Sequence, residues 1–283
     1  KAVVVEMERA GGTCLNWGCI PSKALLKSAE AYQSALAAEE FGISCGEVSF
    51  DFEKVISRSR NVADQMGGGI EFLFKKNKVD YVVGKGMVHA PGMIEIMEGE
   101  HSGTYLKAEK ILVATGCKAR ALDEVKVDGE RIMTSREALV TKKQPASIAI
   151  MGAGAIGAEF AYFLNSFGTK VILLEMMPNI LPVEDREISD ALLKSFKSQG
   201  IDCRINTRVD DIKVEDDLVV LKVVAGEAEE VIEVESLLLA IGVVPNLDGV
   251  LSPKLKLELN KGYLKVDENY QTSEKGIYAA GDI

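Results

Sequence analysis

The stretch IAIMGAGAIG at residues 148–157 decides the fold, because it joins an apolar strand to a glycine-rich turn. Gly152, Gly154 and Gly157 have the G-x-G-x-x-G spacing, and the residues that follow favour a helix, predicted from Ala158 to Phe167. In such a loop the first glycine permits a tight turn, the second lets the backbone reach a pyrophosphate, and the third allows close helix–strand packing. The helix N-terminus then presents free N–H groups to the phosphates. The stretch therefore predicts a dinucleotide-binding unit.

The second strand of this unit, Val171 to Leu174, ends in Glu175. A carboxylate there accepts hydrogen bonds from an adenosine ribose and repels a 2′-phosphate. No arginine cluster follows it, so the sequence predicts NAD rather than NADP. The alternative is a glycine-rich turn without a ligand, and the complete strand–turn–helix–strand context argues against it.

Strands and helices alternate along the rest of the chain, which predicts a doubly wound α/β architecture. The predicted helices outside the glycine unit cover residues 19–40, 52–76 and 184–199. Residues 210–234 alternate apolar and charged side chains with a turn near Gly226, and this pattern predicts an antiparallel ribbon inserted into the fold.

Composition limits the functional classes. A length of 283 residues suits about two domains, and a net charge of −10 argues against nucleic acid or an anionic membrane surface as partner. There is no apolar run of the ~18 residues needed to span a bilayer and no secretory leader. We therefore expect a cytoplasmic protein, or one of an organelle matrix if a transit peptide was removed. Because the sequence starts at Lys1 and stops inside an apparent motif, we also expect truncation at both ends.

Five cysteines form a poor disulfide framework, but Cys14 and Cys19 are a close pair. In an ideal α-helix their Cα atoms would be about 8.6 Å apart, whereas a disulfide requires roughly 4.4–6.8 Å. A bridge therefore needs a distorted turn, which Gly18 permits. Pro21 fits only the first turn of the next helix, so Cys19 is expected at a helix N-terminus that favours a thiolate.

Two other interpretations of the pair stay open at this point. Both cysteines could be buried apolar residues, or they could form a static bridge. The nucleotide-binding signatures favour a redox role over both. The remaining cysteines, Cys45, Cys117 and Cys203, are interpreted as structural.

Residues 11–23, GGTCLNWGCIPSK, closely resemble the disulfide motif of the dihydrolipoyl dehydrogenase family. This family belongs to the FAD-dependent pyridine nucleotide-disulfide oxidoreductases, with glutathione reductase and mercuric reductase as relatives. The resemblance covers essentially the whole chain. Ala114-Thr115-Gly116 is similar to the family's crossover out of the FAD domain, Ala240-Ile241-Gly242 to the return crossover, and residues 276–282 to the second FAD-binding segment.

The resemblance implies two Rossmann-like domains, an FAD domain interrupted by an NAD domain, in three layers with antiparallel meander insertions. Residues 1–118 would form the FAD-binding domain without its first βα unit, and residues 119–245 the NAD-binding domain. Residues 246–283 would return to the FAD-binding or central domain. The C-terminal dimerisation domain, and with it an acid-base His–Glu pair, would be absent; neither His89 nor His101 lies in a matching motif.

The resemblance also implies roles for individual residues and no metal site. The implied catalytic residues are Cys14, Cys19, Lys23 and Glu159. The implied FAD-binding residues are Glu6, Gly12, Thr13, Lys23, Gly86, Thr115, Gly116 and Asp282. The implied NAD-binding residues are Gly152, Gly154, Ile156, Gly157, Glu175, Val209 and Gly242.

The implied mechanism is an electron relay in a homodimer. A dihydrolipoyl group, free or on a lipoyl-bearing protein, attacks the disulfide through Cys14, Cys19 passes electrons to FAD, and reduced flavin transfers hydride to NAD. Lys23, held by Glu159, would favour the reduced flavin. The alternatives are a related NAD(P)H-dependent disulfide or mercuric reductase, and a nucleotide-binding fragment without turnover.

Overall fold

The structure, a computed structural model, describes residues 1–283 and divides by packing into two compact units. Unit 1 comprises residues 1–16, 64–118 and 243–283, and unit 2 comprises residues 17–63 and 119–242. No helix combines the length and apolar character needed to cross a membrane.

The chain contains six α-helices and eighteen strands. The helices are α1 (Gly12–Trp17), α2 (Cys19–Leu36), α3 (Phe52–Lys76), α4 (Ser135–Ala138), α5 (Ala155–Ser166) and α6 (Arg186–Ser198), with a 3-10 helix at Ala38–Phe41. The strands are β1 (Val3–Glu6), β2 (Asp80–Ala90), β3 (Met93–Gly99), β4 (Tyr105–Lys107), β5 (Ile111–Val113), β6 (Cys117–Ala119), β7 (Ile132–Thr134), β8 (Ser147–Met151), β9 (Lys170–Leu174), β10 (Asp202–Arg204), β11 (Arg208–Glu215), β12 (Leu218–Ala225), β13 (Ala228–Val234), β14 (Ser236–Leu239), β15 (Val243–Pro245), β16 (Leu259–Asn260), β17 (Tyr263–Leu264) and β18 (Ile277–Ala279).

Unit 2 is a three-layer α/β structure around a parallel sheet in the order β10-β9-β8-β14-β7. One face of the sheet packs on the helices through a core that includes Leu25, Phe163 and Phe196. The other face packs on the antiparallel meander β11-β12-β13 through a second core that includes Leu221 and Leu237. The sheet, its helices and the meander confirm the predicted fold class.

The meander differs in one respect from the predicted ribbon. It has three strands, because a second reversal occurs at Asp216, which adopts the left-handed conformation with φ 51°. Aspartate tolerates this conformation better than most residues, and the sequence analysis missed that signal.

Residues 17–63 pack as part of unit 2. The helix α2 lies against α5, the Gln33 amide donates to the Ser166 carbonyl at 2.6 Å, and the Tyr32 ring stacks on Phe167 with centroids 5.2 Å apart. The predicted domain division placed residues 17–63 with the FAD-binding domain. That division is a functional one and stays a prediction, whereas packing groups these residues with 119–242.

Unit 1 contains the remaining sheets. β1 and β2 are parallel, β2-β3-β4 continues as an antiparallel meander, and β5 pairs in parallel with β18. The short pairs β15-β6 and β16-β17 complete it. Its core is apolar and includes Val88, Ile111, Val113, Leu264 and Ile277.

Candidate functional site

The Cys14–Cys19 disulfide is present, and it lies where the helix is interrupted. α1 ends at Trp17 and α2 starts at Cys19, while Gly18 between them has φ −148° and ψ −114°, outside the helical region. The structure thus confirms the distorted turn that the cysteine spacing required. Both cysteines are exposed, which excludes the alternative that they are buried apolar residues.

Cys19 is the first residue of α2, and Pro21 lies in the first turn as predicted. Ser22 fixes this turn, because its backbone N–H and its hydroxyl both donate to the Gly18 carbonyl, at 3.1 and 2.8 Å. Cys19 therefore lies at the positive, N-terminal end of the dipole of the 18-residue helix. This end of a helix stabilises a thiolate.

Lys23, one turn further along α2, forms an ion pair with Glu159 on α5, with the Nζ and Oε1 atoms 2.5 Å apart. The Glu159 side chain is 25% exposed and the Lys23 side chain 61% exposed, so Glu159 is the more firmly held partner. The pairing implied by the resemblance is present. The effect of the pair on a flavin stays a prediction.

The glycine-rich loop at residues 152–157 has the geometry that each glycine was predicted to provide. Gly152 has φ 101°, and an added Cβ would lie 2.4 Å from the Ala240 carbonyl oxygen. A Cβ at Gly157 would lie 1.9 Å from the Gly152 carbonyl oxygen and 3.3 Å from Ile150 Cγ2, so close helix–strand packing depends on glycine there. At Gly154, the N-cap of α5, no atom lies within 4 Å of an added Cβ. This open position at a helix N-terminus fits a phosphate.

Glu175 is buried beside the same loop. Its Oε2 atom accepts a hydrogen bond from Ala153 N at 2.8 Å, and Oε1 accepts one from Met177 N at 2.9 Å. Each carboxylate oxygen has a second lone pair, so both can still accept a ribose hydroxyl. The two backbone bonds fix the carboxylate beside the glycine-rich loop.

The whole chain, including the dithiol turn and the glycine loop, matches a known family. The family profile described as pyridine nucleotide-disulphide oxidoreductase matches residues 1–283. This chain belongs to that family.

The chain is 39% identical over 284 residues to dihydrolipoyl dehydrogenase of Chlorobaculum tepidum, an alignment that covers 100% of the chain and 61% of the relative. It is also 39% identical to dihydrolipoyl dehydrogenase of Acholeplasma laidlawii, covering 82% of that protein. The crystal structure of LpdA from Mycobacterium tuberculosis superposes with a TM-score of 0.91 at 27% identity, covering 100% of this chain and 61% of LpdA. The HOCl-induced flavoprotein disulfide reductase RclA of Escherichia coli gives a TM-score of 0.81 at 27% identity, covering 99% of this chain and 60% of RclA. The chain thus spans about three fifths of the length of most of these relatives.

Five of the positions implied to bind FAD lie in unit 1 where its strands end. An added Cβ at Gly116 would lie 3.9 Å from Thr13 Oγ1, and the Thr115 hydroxyl donates to the Asn246 carbonyl at 2.9 Å. Asp282 Oδ2 lies 4.0 Å from Cys117 Sγ. Gly12 precedes Thr13 at the start of α1. Because ligands of α/β sheets bind outside the carboxyl ends of the strands, this cluster fits a nucleotide.

The structure gives less support to FAD binding by Glu6 and Gly86. Glu6 ends β1, and its Oε1 atom accepts the Glu8 N–H at 2.9 Å. A Cβ at Gly86 would lie 3.1 Å from Val5 Cγ1, so packing between neighbouring strands already explains the glycine. Their contacts with a cofactor stay predictions.

The other predicted NAD-binding residues lie at three places in unit 2. Ile156 is exposed in the first turn of α5, and Val209 is partly buried near the start of β11. Gly242 follows shortly after β14 and has φ 101°. Its carbonyl oxygen accepts a hydrogen bond from the Arg120 N–H at 3.0 Å. Gly242 is two residues beyond Ala240, whose carbonyl group faces Gly152, whereas Val209 packs against the core between the sheet and the meander.

The other cysteines differ in their surroundings. Cys203 is buried, and burial raises the pKa of its thiol to about 11, in agreement with a structural role. Burial, and secondarily the Asp282 carboxylate, also raises the pKa of the half-buried Cys117. Cys45 is exposed in the irregular segment at residues 43–46, so nothing around it supports the interpretation of Cys45 as structural.

Two arginines at the dithiol turn were not predicted from the sequence. The Cζ atoms of Arg60 and Arg136 lie 4.5 and 4.0 Å from the centroid of the Trp17 ring. Trp17 stands in the cysteine motif, but the arginines are distant in sequence and belong to α3 and α4. No spacing rule could have connected them with it.

Proposed function

We propose that this chain is the greater part of a dihydrolipoyl dehydrogenase. The enzyme would move electrons from dihydrolipoyl groups, through the Cys14–Cys19 disulfide and FAD, to NAD. The observation that carries this proposal is the exposed disulfide whose second sulfur lies at the N-terminus of α2. The names of the curated relatives support the choice of substrate.

The chemistry of the disulfide follows from its surroundings. A dihydrolipoyl thiolate attacks Cys14, a mixed disulfide forms, and the S–S bond breaks with Cys19 leaving as a thiolate. The α2 N-terminus stabilises that thiolate. The second dihydrolipoyl sulfur, after loss of its proton, then displaces Cys14. One lipoyl disulfide has formed and the protein holds the two electrons as a dithiol.

FAD, when bound, supplies the two-electron carrier between the dithiol and the nicotinamide. In unit 1, Thr13, Thr115 and Gly116 with Asp282 would hold it, since they combine hydroxyls, a carboxylate and an open glycine after the strand ends. In unit 2, Glu159 keeps the Lys23 ammonium in one position. A fixed cation of this kind favours the anionic form of a reduced flavin.

The NAD site would be the glycine loop of unit 2. Gly154 leaves room for the pyrophosphate, and Glu175 accepts the adenosine ribose hydroxyls and repels a 2′-phosphate. We further propose a lipoyl-bearing protein as the partner, a homodimer as the assembly and the cytoplasm, or an organelle matrix, as the location. The support for the partner and the dimer is the family membership.

The test is NAD reduction at 340 nm with dihydrolipoamide as donor, in the full-length protein with FAD bound. We expect turnover, its loss in Cys14→Ser and in Cys19→Ser, and normal turnover in Cys45→Ser, whose exposed cysteine lies outside the turn. Two-electron reduction should also produce a long-wavelength absorbance band that Cys19→Ser lacks. A protein that reduces glutathione disulfide or Hg(II) but does not oxidise dihydrolipoamide would contradict the substrate assignment.

A further inference from the structure

The turn between the two cysteines is held by a stack of aromatic and cationic side chains. Trp17 is half-buried, three residues after Cys14 and two before Cys19. The Arg136 guanidinium lies 4.0 Å and the Arg60 guanidinium 4.5 Å from its ring centroid. We call these three residues the Trp17 stack.

The stack ties the turn to two separate elements of unit 2. Arg60 projects from α3, and Arg136 from α4, whose N-terminus is fixed by a capping box between Thr134 and Glu137. Tryptophan gives the strongest cation–π interactions of the aromatic residues. The flat guanidinium group suits such stacking better than an ammonium group.

These contacts matter most when the disulfide is reduced. In the oxidised protein the S–S bond itself maintains the distorted turn at Gly18. After reduction only noncovalent contacts oppose its relaxation, and residues five apart in a regular helix hold their Cα atoms about 8.6 Å from each other. Closing the disulfide again needs about 4.4–6.8 Å.

We propose that Arg60 and Arg136 are positioning residues for the redox disulfide: by stacking on Trp17 they keep the reduced turn close to its oxidised shape. The two thiols then have a high effective concentration towards each other, which favours the disulfide. The proposal rests on the proposed function only in requiring that the Cys14–Cys19 pair cycles between dithiol and disulfide.

An effect of charge alone would act in the opposite direction. Two nearby cations stabilise a thiolate, so they favour the reduced pair, and their removal would favour the disulfide. If positioning dominates, removal of the stack instead favours the dithiol. The sign of the change therefore distinguishes the two roles.

The experiment equilibrates the purified full-length protein with mixtures of reduced and oxidised dithiothreitol, quenches it in acid and counts alkylated cysteines by mass. In the double variant Arg60→Met/Arg136→Met we expect the equilibrium to shift about tenfold towards the dithiol, a rise in potential of about 30 mV. In the double variant Arg60→Lys/Arg136→Lys the equilibrium should shift less towards the dithiol, because the ammonium groups stay near the Trp17 ring but stack on it less well. An unchanged equilibrium, or a shift towards the disulfide, would overturn the proposal.

Arg58→Met is the matched control. Arg58 lies on α3 two residues from Arg60, but its guanidinium donates to the Ala24 carbonyl at 2.8 Å and is not part of the stack. We expect this loss of one positive charge to leave the equilibrium unchanged. If Arg58→Met shifts it as much as the stack variants do, positioning through Trp17 is refuted.

Trp17 provides a second readout, because it is the only tryptophan among these 283 residues, and its emission in the full-length protein is the wild-type signal minus that of the Trp17→Phe variant. Acrylamide quenching of its fluorescence should increase on reduction in the double methionine variant and change little in the wild-type protein. If that variant does not fold, Trp17→Leu and Trp17→Phe replace it in the dithiothreitol equilibrium, with the full shift towards the dithiol expected for Leu and a smaller one for Phe. Because dithiothreitol drives the equilibrium, a protein that fails to oxidise dihydrolipoamide would still report on the stack.

Discussion

At the scale of single residues, Gly154 and Gly157 show how one residue type serves two purposes. A side chain at Gly157 would collide with the Gly152 backbone, whereas a side chain at Gly154 would meet nothing in the protein. Folding therefore requires glycine at 157, whereas glycine at 154 has no packing role in the protein and is explained by the proposed nucleotide. Sequence reasoning predicted both purposes from the spacing, because the motif constrains the local backbone.

The two glycines should respond differently to alanine. Gly154→Ala should leave the free energy of unfolding within about 0.5 kcal/mol of wild type and weaken NADH binding at least about tenfold, since the Cβ occupies the space for the pyrophosphate. Gly157→Ala should cost about 3 kcal/mol or more, because the atom it meets is backbone. Urea denaturation and NADH titration measure the two effects. Unchanged NADH affinity in Gly154→Ala would refute the phosphate position.

Substitution of Glu175 should affect both the stability of the protein and its affinity for NADH. The backbone N–H groups of Ala153 and Met177 both donate to the Glu175 carboxylate. In Glu175→Gln one of them must face the side-chain NH₂ group, which is also a donor, so one hydrogen bond is lost. Loss of a bond to a charged acceptor costs about 1.5–3 kcal/mol, so we expect that loss of stability together with NADH binding at least about tenfold weaker. The exposed Glu184→Gln is the control. NADH affinity equal to wild type would contradict the ribose contact.

At the scale of elements, α3 carries three successive glycines in its interior, Gly67, Gly68 and Gly69. Sequence analysis predicted the bounds of this helix, Phe52–Lys76, despite them, because the apolar period continues on both sides. Gly67 approaches the Ala10 carbonyl, but added Cβ atoms at Gly68 and Gly69 would meet nothing within 4 Å. These two glycines therefore lower the stability of α3 without a packing reason.

We expect Gly68→Ala to stabilise the protein by about 0.5–1 kcal/mol, since alanine restricts the unfolded backbone and favours the helix. The contrasting variant is Gly84→Ala on β2, where the Cβ would lie 2.4 Å from the Glu98 carbonyl oxygen and should destabilise. The midpoints of urea denaturation, compared at an unchanged m-value, measure the stability changes of both variants. A lower midpoint for Gly68→Ala would show that this face of α3 is covered in the intact protein.

At the scale of the whole molecule, the carboxyl groups whose pKa the fold shifts are all shifted downwards, so each favours its charged form. The Lys143 ammonium, 2.5 Å from Glu235 Oε1, and the Ala146 N–H hold the pKa of Glu235 below its ordinary value. Partial burial opposes the effect at Asp128, but three backbone N–H groups still lower its pKa. The unfolded chain therefore binds protons more readily than the folded one in acid.

The consequence is a stability that is fully present above the unfolded pKa of these carboxyl groups and is lost as pH falls through their lower folded pKa. We expect the urea midpoint to be level from pH 7 to about 5 and to decrease below about pH 4.5, the ordinary range of carboxyl groups. Glu235→Gln should make that decrease shallower. A midpoint that rises on acidification would contradict these assignments.

The sequence by itself determined the parts that depend on local backbone chemistry. Three such parts are the glycine loop, Glu175 at the strand end and the cysteine turn at Gly18. Each requires particular residues at a fixed spacing, so each can be predicted without knowledge of the tertiary structure. The resemblance added the Lys23–Glu159 pair, which spacing alone does not give. Only the tertiary structure decided that residues 17–63 pack with 119–242 and that Arg60 and Arg136 meet on Trp17. Such contacts arise when apolar faces of distant elements pack together, and no short-range pattern records which side chains then become neighbours.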